Sequence, residues 1–190
     1  MTRIISGRAG GTVLDVPPRG TRPTSDRVRE SLFGALESAG VIDDARVADL
    51  FAGSGALGLE SLSRGAASAD LVELSAPAAS LIRKNAERVR AAGVSAAARV
   101  HRANVTTYLS ASTAEWDLVF LDPPYDIADH DLTKALVALA PRLSPDATVI
   151  VERAKRSAAP DWAAAGLEAE RDRAYGDTTM WWGRPVATRS

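Results

Sequence analysis

Between residues 46 and 152 the chain alternates short apolar runs with stretches of helical periodicity. Arg46-Val47-Ala48-Asp49-Leu50, Ala69-Asp70-Leu71-Val72-Glu73-Leu74, Ala97-Ala98-Arg99-Val100-His101, Asp117-Leu118-Val119-Phe120-Leu121 and Thr148-Val149-Ile150-Val151-Glu152 read as strands. The spacing predicts helices over 56–64, 75–92, a short stretch around Tyr108, and 132–143, with Gly65 and Gly93 ending the first two. Pro77 falls in the first turn of the second helix, where its missing N–H is tolerated. Such a βαβ rhythm requires right-handed crossovers, so the chain predicts an open, mostly parallel sheet with helices on both faces.

In that architecture ligands bind beyond the carboxyl ends of the strands, and the first strand ends in Asp49-Leu50-Phe51-Ala52-Gly53-Ser54-Gly55-Ala56-Leu57-Gly58. Gly53, Gly55 and Gly58 satisfy G-x-G-x-x-G, a pattern that by itself fits a dinucleotide as well as several other ligands. Asp49 tilts the choice. A pyrophosphate at a helix N-terminus needs positive potential, and a carboxylate beside it repels. A zwitterionic ligand with an ammonium group, such as S-adenosylmethionine (SAM), is instead attracted.

The other strand ends carry polar groups too. Glu73 closes the second, 20 positions after Gly53, where an acid accepts hydrogen bonds from ribose hydroxyls. Asn104 follows the third, with an amide able to pair with an adenine edge. Asp49 and Glu73 can also be read as helix caps, Asn104 as a turn residue and the proline pair as a rigid loop. Their recurrence at successive strand ends favours a site.

Asp122-Pro123-Pro124-Tyr125, after the fourth strand, is the most specific signal. Two prolines remove two donors and leave carbonyls free to accept. An acid, a free carbonyl and an aromatic ring in a row can hold a planar exocyclic amine, with Asp122 and the Pro123 carbonyl accepting its hydrogens and Tyr125 stacked on its ring. That arrangement suits methyl transfer to the amine by positioning and electrostatics. The chain has no cysteine, which removes the covalent route used for carbon-5 methylation of pyrimidines, and with it disulfides and thiolate metal sites.

Residues 1–23 read differently from the rest. Arg3-Ile4-Ile5-Ser6 and Thr12-Val13-Leu14-Asp15-Val16 flank a glycine-rich connection, which predicts a hairpin with a long loop. Arg3, Arg8, Arg19 and Arg22 stand against Asp15 alone, so the segment fits equally a solvated edge hairpin and a basic arm for a polyanion. A helix follows, with Val28, Leu32 and Leu36 in step and Gly40 ending it. Arg27 and Arg29 in its first turn oppose the helix dipole, which hints at a ligand. At the other end, segments 167–175 and 179–184 predict two strands joined by Gly176-Asp177, with one of Trp181 and Trp182 in the core and the other outward.

The chain's 190 residues suit one domain with a short appendage, 46% hydrophobic content supports a core, and a net charge of -1 gives no global basic field. His101 and His130 show no ligand spacing and are expected on the surface or in loops. Neither a signal-peptide core nor an apolar run of about 20 residues is present, which predicts a soluble cytoplasmic protein without a membrane span.

Three blocks carry a family resemblance: Arg3-Ile4-Ile5-Ser6-Gly7; the stretch Arg22-Pro23-Thr24-Ser25-Asp26-Arg27-Val28-Arg29-Glu30; and the run from Asp49 to Glu60. With Glu73 and the 122–125 loop they resemble the class I SAM-dependent methyltransferases acting on amino groups, and more narrowly the bacterial 16S rRNA guanine-N2 methyltransferases of the RsmD type. The resemblance implies a Rossmann-like, seven-stranded α/β fold with a reversed last strand, preceded by an N-terminal β-hairpin for RNA. It divides the chain into a basic RNA-binding arm, 1–23, and a SAM-dependent methyltransferase domain, 24–190.

It further implies SAM as cofactor, with Asp49, Phe51, Gly53, Ser54, Gly55 and Gly58 at the methionine end, Glu73 at the ribose, Leu74 and Asn104 at the adenine, and Asp122 bordering cofactor and substrate. Asp122, Pro123, Pro124 and Tyr125 are the expected catalytic residues. Arg3, Arg8, Arg19, Arg22, Arg27 and Arg29 are the expected RNA contacts. The expected partner is 16S rRNA within the small ribosomal subunit or an assembly intermediate, met by a monomer without a metal. The competing readings are a DNA or other RNA adenine-N6 methyltransferase, for which no separate target-recognition domain is present, a non-catalytic RNA-binding assembly factor, and an NAD-linked oxidoreductase.

Overall fold

The computed structural model describes residues 1–18 and 25–187. Its centre is a seven-stranded sheet formed by β3 (Arg46–Asp49), β4 (Ser68–Glu73), β5 (Ala97–Arg102), β6 (Trp116–Leu121), β7 (Leu143–Ala154), β8 (Leu167–Tyr175) and β9 (Thr178–Pro185). The order is β5-β4-β3-β6-β7-β9-β8. β3, β4, β5, β6 and β7 run parallel, while β9 enters between β7 and β8 antiparallel to both, the reversed last strand that the resemblance implies. The chain direction switches sides at β3, whose neighbours are β4 and β6, and the carboxyl ends there face a crevice.

Alternation along the strands sorts the core into two layers. Val47, Leu71, Leu118, Phe120 and Ile150 pack under α1 (Asp26–Ser38), α2 (Ala56–Ser63) and α3 (Ala76–Ala91). Ala48, Val72, Val119, Val149 and Val151 pack under α4 (Val105–Ala111) and α5 (Asp129–Leu139). The same alternation sends Asp49 at the end of β3, Asp122 just beyond β6 and Glu152 near the end of β7 toward the first layer.

Three elements depart from expectation. α5 starts at Asp129 and ends at Leu139, and residues Ala140–Arg142 tighten into a 3-10 turn because Pro141 cannot continue the α-helical ladder. β7 begins already at Leu143, with a register shift opposite Trp116 and Leu118 that accommodates Pro145 away from the regular ladder. Trp181 and Trp182 both pack: Trp182 is buried in the first layer and Trp181 is half-buried against the second. The sequence predicts one of the two to point outward, but β9 lies between β7 and β8 and both rings pack. Gly183 permits this close packing, since a Cβ there would lie 2.5 Å from the Trp162 ring.

The N-terminal hairpin forms, though its ladder is only two residues per strand, β1 (Thr2–Arg3) against β2 (Val13–Leu14). It is packed onto the domain: Ile4, Ala9 and Leu14 are buried in the first layer. Gly7 sits so close to α2 that a Cβ would come within 2.0 Å of the Ser63 carbonyl oxygen. Below the hairpin, the fully buried Glu60 accepts from Ile5 N–H (2.7 Å), Ser6 N–H (3.1 Å) and Arg64 Nε (2.7 Å).

Candidate active site

Four segments that follow the carboxyl ends of β3, β4, β5 and β6 enclose a cavity of about 700 Å³, ordinary for a small-molecule site. One side is lined by Phe51, Gly53, Glu73, Leu74, Ser75 and Asn104, and the other by Asp122, Pro123, Pro124 and Tyr125. Sequence positions from four strand ends are thus brought to one opening.

The glycine turn divides its labour. Gly53, at φ +58°, lines the cavity with open space where a side chain would stand. Gly55, at φ +80°, is the N-cap of α2 and supplies no capping side chain. Asp49 fills that role from the preceding strand, its Oδ2 accepting from Gly58 N–H at 3.0 Å. Gly58 must be small, because a Cβ would lie 2.8 Å from Leu71 Cδ2 and 3.3 Å from Asp49 Cβ. Ser54 turns its carbonyl to Asn85 Nδ2 at 2.9 Å. Of the residues expected at the methionine end, Phe51 and Gly53 therefore line the cavity, while Asp49, Ser54, Gly55 and Gly58 build the turn beneath it.

Asp49 is 1% exposed, and its Oδ1 has no hydrogen-bond partner. Burial pushes its carboxyl up to about 7, opposed by the Gly58 N–H and assisted by the nearby charge of Glu73. Asp122 is likewise held well above the usual carboxylate range, by burial first and then by repulsion from Glu152 and Asp49. A buried carboxyl cluster without a cation is electrostatically costly, so the site favours a positively charged guest. Among the described residues no group of acids and histidines has metal-holding geometry.

Glu73 is held by two backbone donors, Gly53 N–H to Oε2 at 3.0 Å and Ser75 N–H to Oε1 at 2.8 Å. Its carboxylate is thereby fixed at the cavity wall, with lone pairs left for further donors. Leu74 beside it is 64% exposed, an apolar surface for a flat ring. Asn104 caps α4, its Oδ1 accepting from Thr107 N–H at 3.2 Å, so its amide nitrogen is the part left for a ligand. Across the opening, the Pro124 carbonyl accepts from Ile127 N–H (3.0 Å), and Tyr125 stands 55% exposed at the mouth.

The arginines separate into surface and structural groups. Arg3, Arg8 and Arg27 are exposed, with Arg3 3.5 Å from Asp26, and Arg19 and Arg22 lie outside the described residues. Arg29 does not face outward as an RNA contact. It is 1% exposed, and its Nη2 donates to Asp26 (2.7 Å), Thr2 Oγ1 (2.8 Å) and the Arg3 carbonyl (2.7 Å). Its Nη1 lies 3.7 Å from Glu60. The misfit with the helix dipole is resolved by these partners, which clamp the hairpin to α1 and α2.

Sequence reasoning passed over Glu152. The signal was present, an acid closing the fifth strand just as Asp49 and Glu73 close theirs, but its neighbour in space, Asp122, is 30 positions away. His101 lies on β5, where the strand reading puts it, and is half-buried rather than free on the surface, bonded through Nε2 to Asp70 at 2.9 Å and packed 4.6 Å from the Tyr108 ring.

Residues 2–184 match the family model described as conserved hypothetical protein 95. The ribosomal RNA small subunit methyltransferase D of Haemophilus influenzae is 35% identical over 156 residues, covering 80% of this chain and 79% of that protein. The chain belongs to the RsmD family. The Escherichia coli K12 family member is 46% identical over 124 residues, a stretch covering 65% of this chain and 60% of that protein's length. A solved Escherichia coli structure, a putative methyltransferase, superposes with a TM-score of 0.81 at 35% identity over 98% of this chain and 99% of that one. The RsmD-family fold of this chain is therefore a class I methyltransferase fold, as the strand order indicates.

Proposed function

We propose that the chain transfers a methyl group from SAM to the exocyclic N2 amine of a guanosine in 16S rRNA, within the small ribosomal subunit or an assembly intermediate. The observation that carries this reading is the single cavity that joins the Gly53–Glu73 wall to the Asp122, Pro123 and Tyr125 wall. The kinship with proteins named ribosomal RNA small subunit methyltransferases supports small-subunit rRNA as the acceptor.

The residues present fit SAM. The orphaned, buried Oδ1 of Asp49 and the neighbouring acids ask for a cation, and Gly53 leaves its face of the turn open. Phe51 and Gly53 would flank the methionine end, Glu73 would accept from the ribose hydroxyls, and Leu74 with Asn104 would border the adenine. When bound, SAM supplies an electrophilic methyl group on a positively charged sulfur.

The chain's own work is on the acceptor. The N2 lone pair of guanine is delocalised into the ring. Asp122 and the Pro123 carbonyl, by accepting the two amine hydrogens, favour a pyramidal nitrogen whose lone pair is free to attack. Tyr125 holds the ring by stacking, which requires the base to leave its helical stack. The amine sheds one proton as it gains the methyl, and the Asp122 carboxylate, lining the cavity, would take it up. Arg3 and Arg8, with Arg19 and Arg22, are proposed to meet RNA phosphates through the 1–23 arm, and Arg27 is proposed to join them from the first turn of α1.

Small subunits lacking the modification should gain one radiolabelled methyl from SAM, recovered as N2-methylguanosine. Asp122→Ala should lower turnover at least ~100-fold while the subunit still binds. Label recovered as N6-methyladenine in DNA, or full turnover by Asp122→Ala, would refute the assignment.

A further inference from the structure

Tyr125 belongs to two cavities. One is the site described above; the second, of about 640 Å³, is lined by Tyr125, Ala154, Lys155, Arg156, Ser157 and Asp177. The two hollows meet at the ring proposed to stack on the target base. Their charges are opposite in kind. The first is lined by Glu73, Asp122, Asp126 and Asp131 and by no lysine or arginine. The second brings two cations, Lys155 and Arg156, against the one acid Asp177. Those two are thus the only basic residues lining either hollow, among the described residues.

This contrast poses a physical problem for the proposed substrate. A polynucleotide must lay a base over an acidic floor whose potential repels its backbone. A phosphate-binding group at the rim has to offset that repulsion, and it has to lie within a nucleotide's reach of the stacked base. Lys155 and Arg156 are exposed and occupy that rim. Nor is the segment a loose one. It leaves β7 directly after Ala154, and Lys155 N–H donates to the Asp177 carbonyl at 2.8 Å. Ser157 N–H closes the turn onto the Ala154 carbonyl at 2.8 Å. The β8–β9 turn, where Gly176 takes φ +57°, therefore braces the cationic segment against the end of β7. This gives the Tyr175-Gly176-Asp177 turn a purpose that the sequence alone left open.

We infer that Lys155 and Arg156 form a docking site for the phosphodiester backbone of the target RNA strand, gripping the phosphates that flank the nucleotide stacked on Tyr125. The site rests on the proposed RNA methylation and adds a second contact, next to the reacting base and separate from the N-terminal hairpin. Lysine supplies a point charge and arginine a fork that grips two phosphate oxygens.

The test uses the full chain, SAM and unmethylated small ribosomal subunits. The double variant Lys155→Ala/Arg156→Ala should raise KM for the subunit on the order of tenfold at moderate salt, with the loss carried by KM rather than kcat. The slope of log affinity against log salt should fall by about 1.4, at ~0.7 per single-strand phosphate contact. SAM affinity, read by calorimetry, should stay at the wild-type value. The swapped variant Lys155→Arg/Arg156→Lys, which keeps both charges, should recover most of the loss. A double variant with unaltered KM and salt slope, beside an active wild type, overturns the docking site and leaves the methylation reading standing. A wild type that binds SAM but methylates no subunit RNA overturns both.

Discussion

Asp49 shows how a single side chain can serve the fold and work against it. Its Oδ2 caps α2 in place of the side chain that Gly55 lacks, while its Oδ1 is buried with no partner. Because its folded-state value is about 7 against 3.8 for the ordinary carboxyl, the folded protein holds a proton that the unfolded chain has released across that window. Stability in the absence of ligand should therefore fall as pH rises from about 4 to 7 and level off above. Asp122 is shifted in the same direction and should add to the slope. Asp49→Asn keeps an acceptor for Gly58 and removes the ionisation. It should stabilise the protein at pH 8 by a few kcal/mol, with little effect at pH 4, while weakening SAM binding. Thermal unfolding across pH and calorimetry with SAM check the two halves. A variant that is less stable than wild type at pH 8 would contradict the account.

At the scale of elements, the β3–α2 turn is shaped by packing contacts. Gly58 lies where Leu71 of β4 and Asp49 of β3 press against the helix. Gly58→Ala would gain helix propensity but places a Cβ 2.8 Å from Leu71 Cδ2. Overpacking should win, with a net cost of ~1–3 kcal/mol in denaturant unfolding. The same substitution at an exposed helical glycine such as Gly34, where a Cβ meets nothing within 4 Å, should instead stabilise by ~1 kcal/mol. The pair of variants separates close packing from backbone propensity. Equal effects at the two sites would remove the packing explanation.

At the scale of the molecule, the hairpin and the sheet share one core layer through Ile4, Ala9 and Leu14, and one buried charge cluster through Arg29, Glu60 and Arg64. A clamp of that kind predicts that the hairpin and the domain unfold together. Arg29→Ala removes three hydrogen bonds to Thr2, Arg3 and Asp26 and one partner of Glu60, although Arg64 remains. The expected loss is about 3 kcal/mol, the low end for breaking a buried ion pair, or a Tm lower by roughly 6–12 °C in a single transition. A separate low-temperature transition for the hairpin, with the rest unchanged, would show that the two are not coupled.

The sequence by itself determined the βα alternation, the parallel order it requires and the four strand-end motifs, because those signals are local in the chain. Periodicity, glycine turns and the proline pair act within a few residues of themselves. The tertiary structure decided what depends on residues far apart. It set Glu152 beside Asp122, turned Arg29 inward onto Thr2 and Glu60, and inserted β9 between β7 and β8 so that both Trp181 and Trp182 pack. It also braced Lys155 on the carbonyl of Asp177 next to Tyr125. Charge and burial are sums over spatial neighbours, and those neighbours are assigned only when the sheet has closed on its helices.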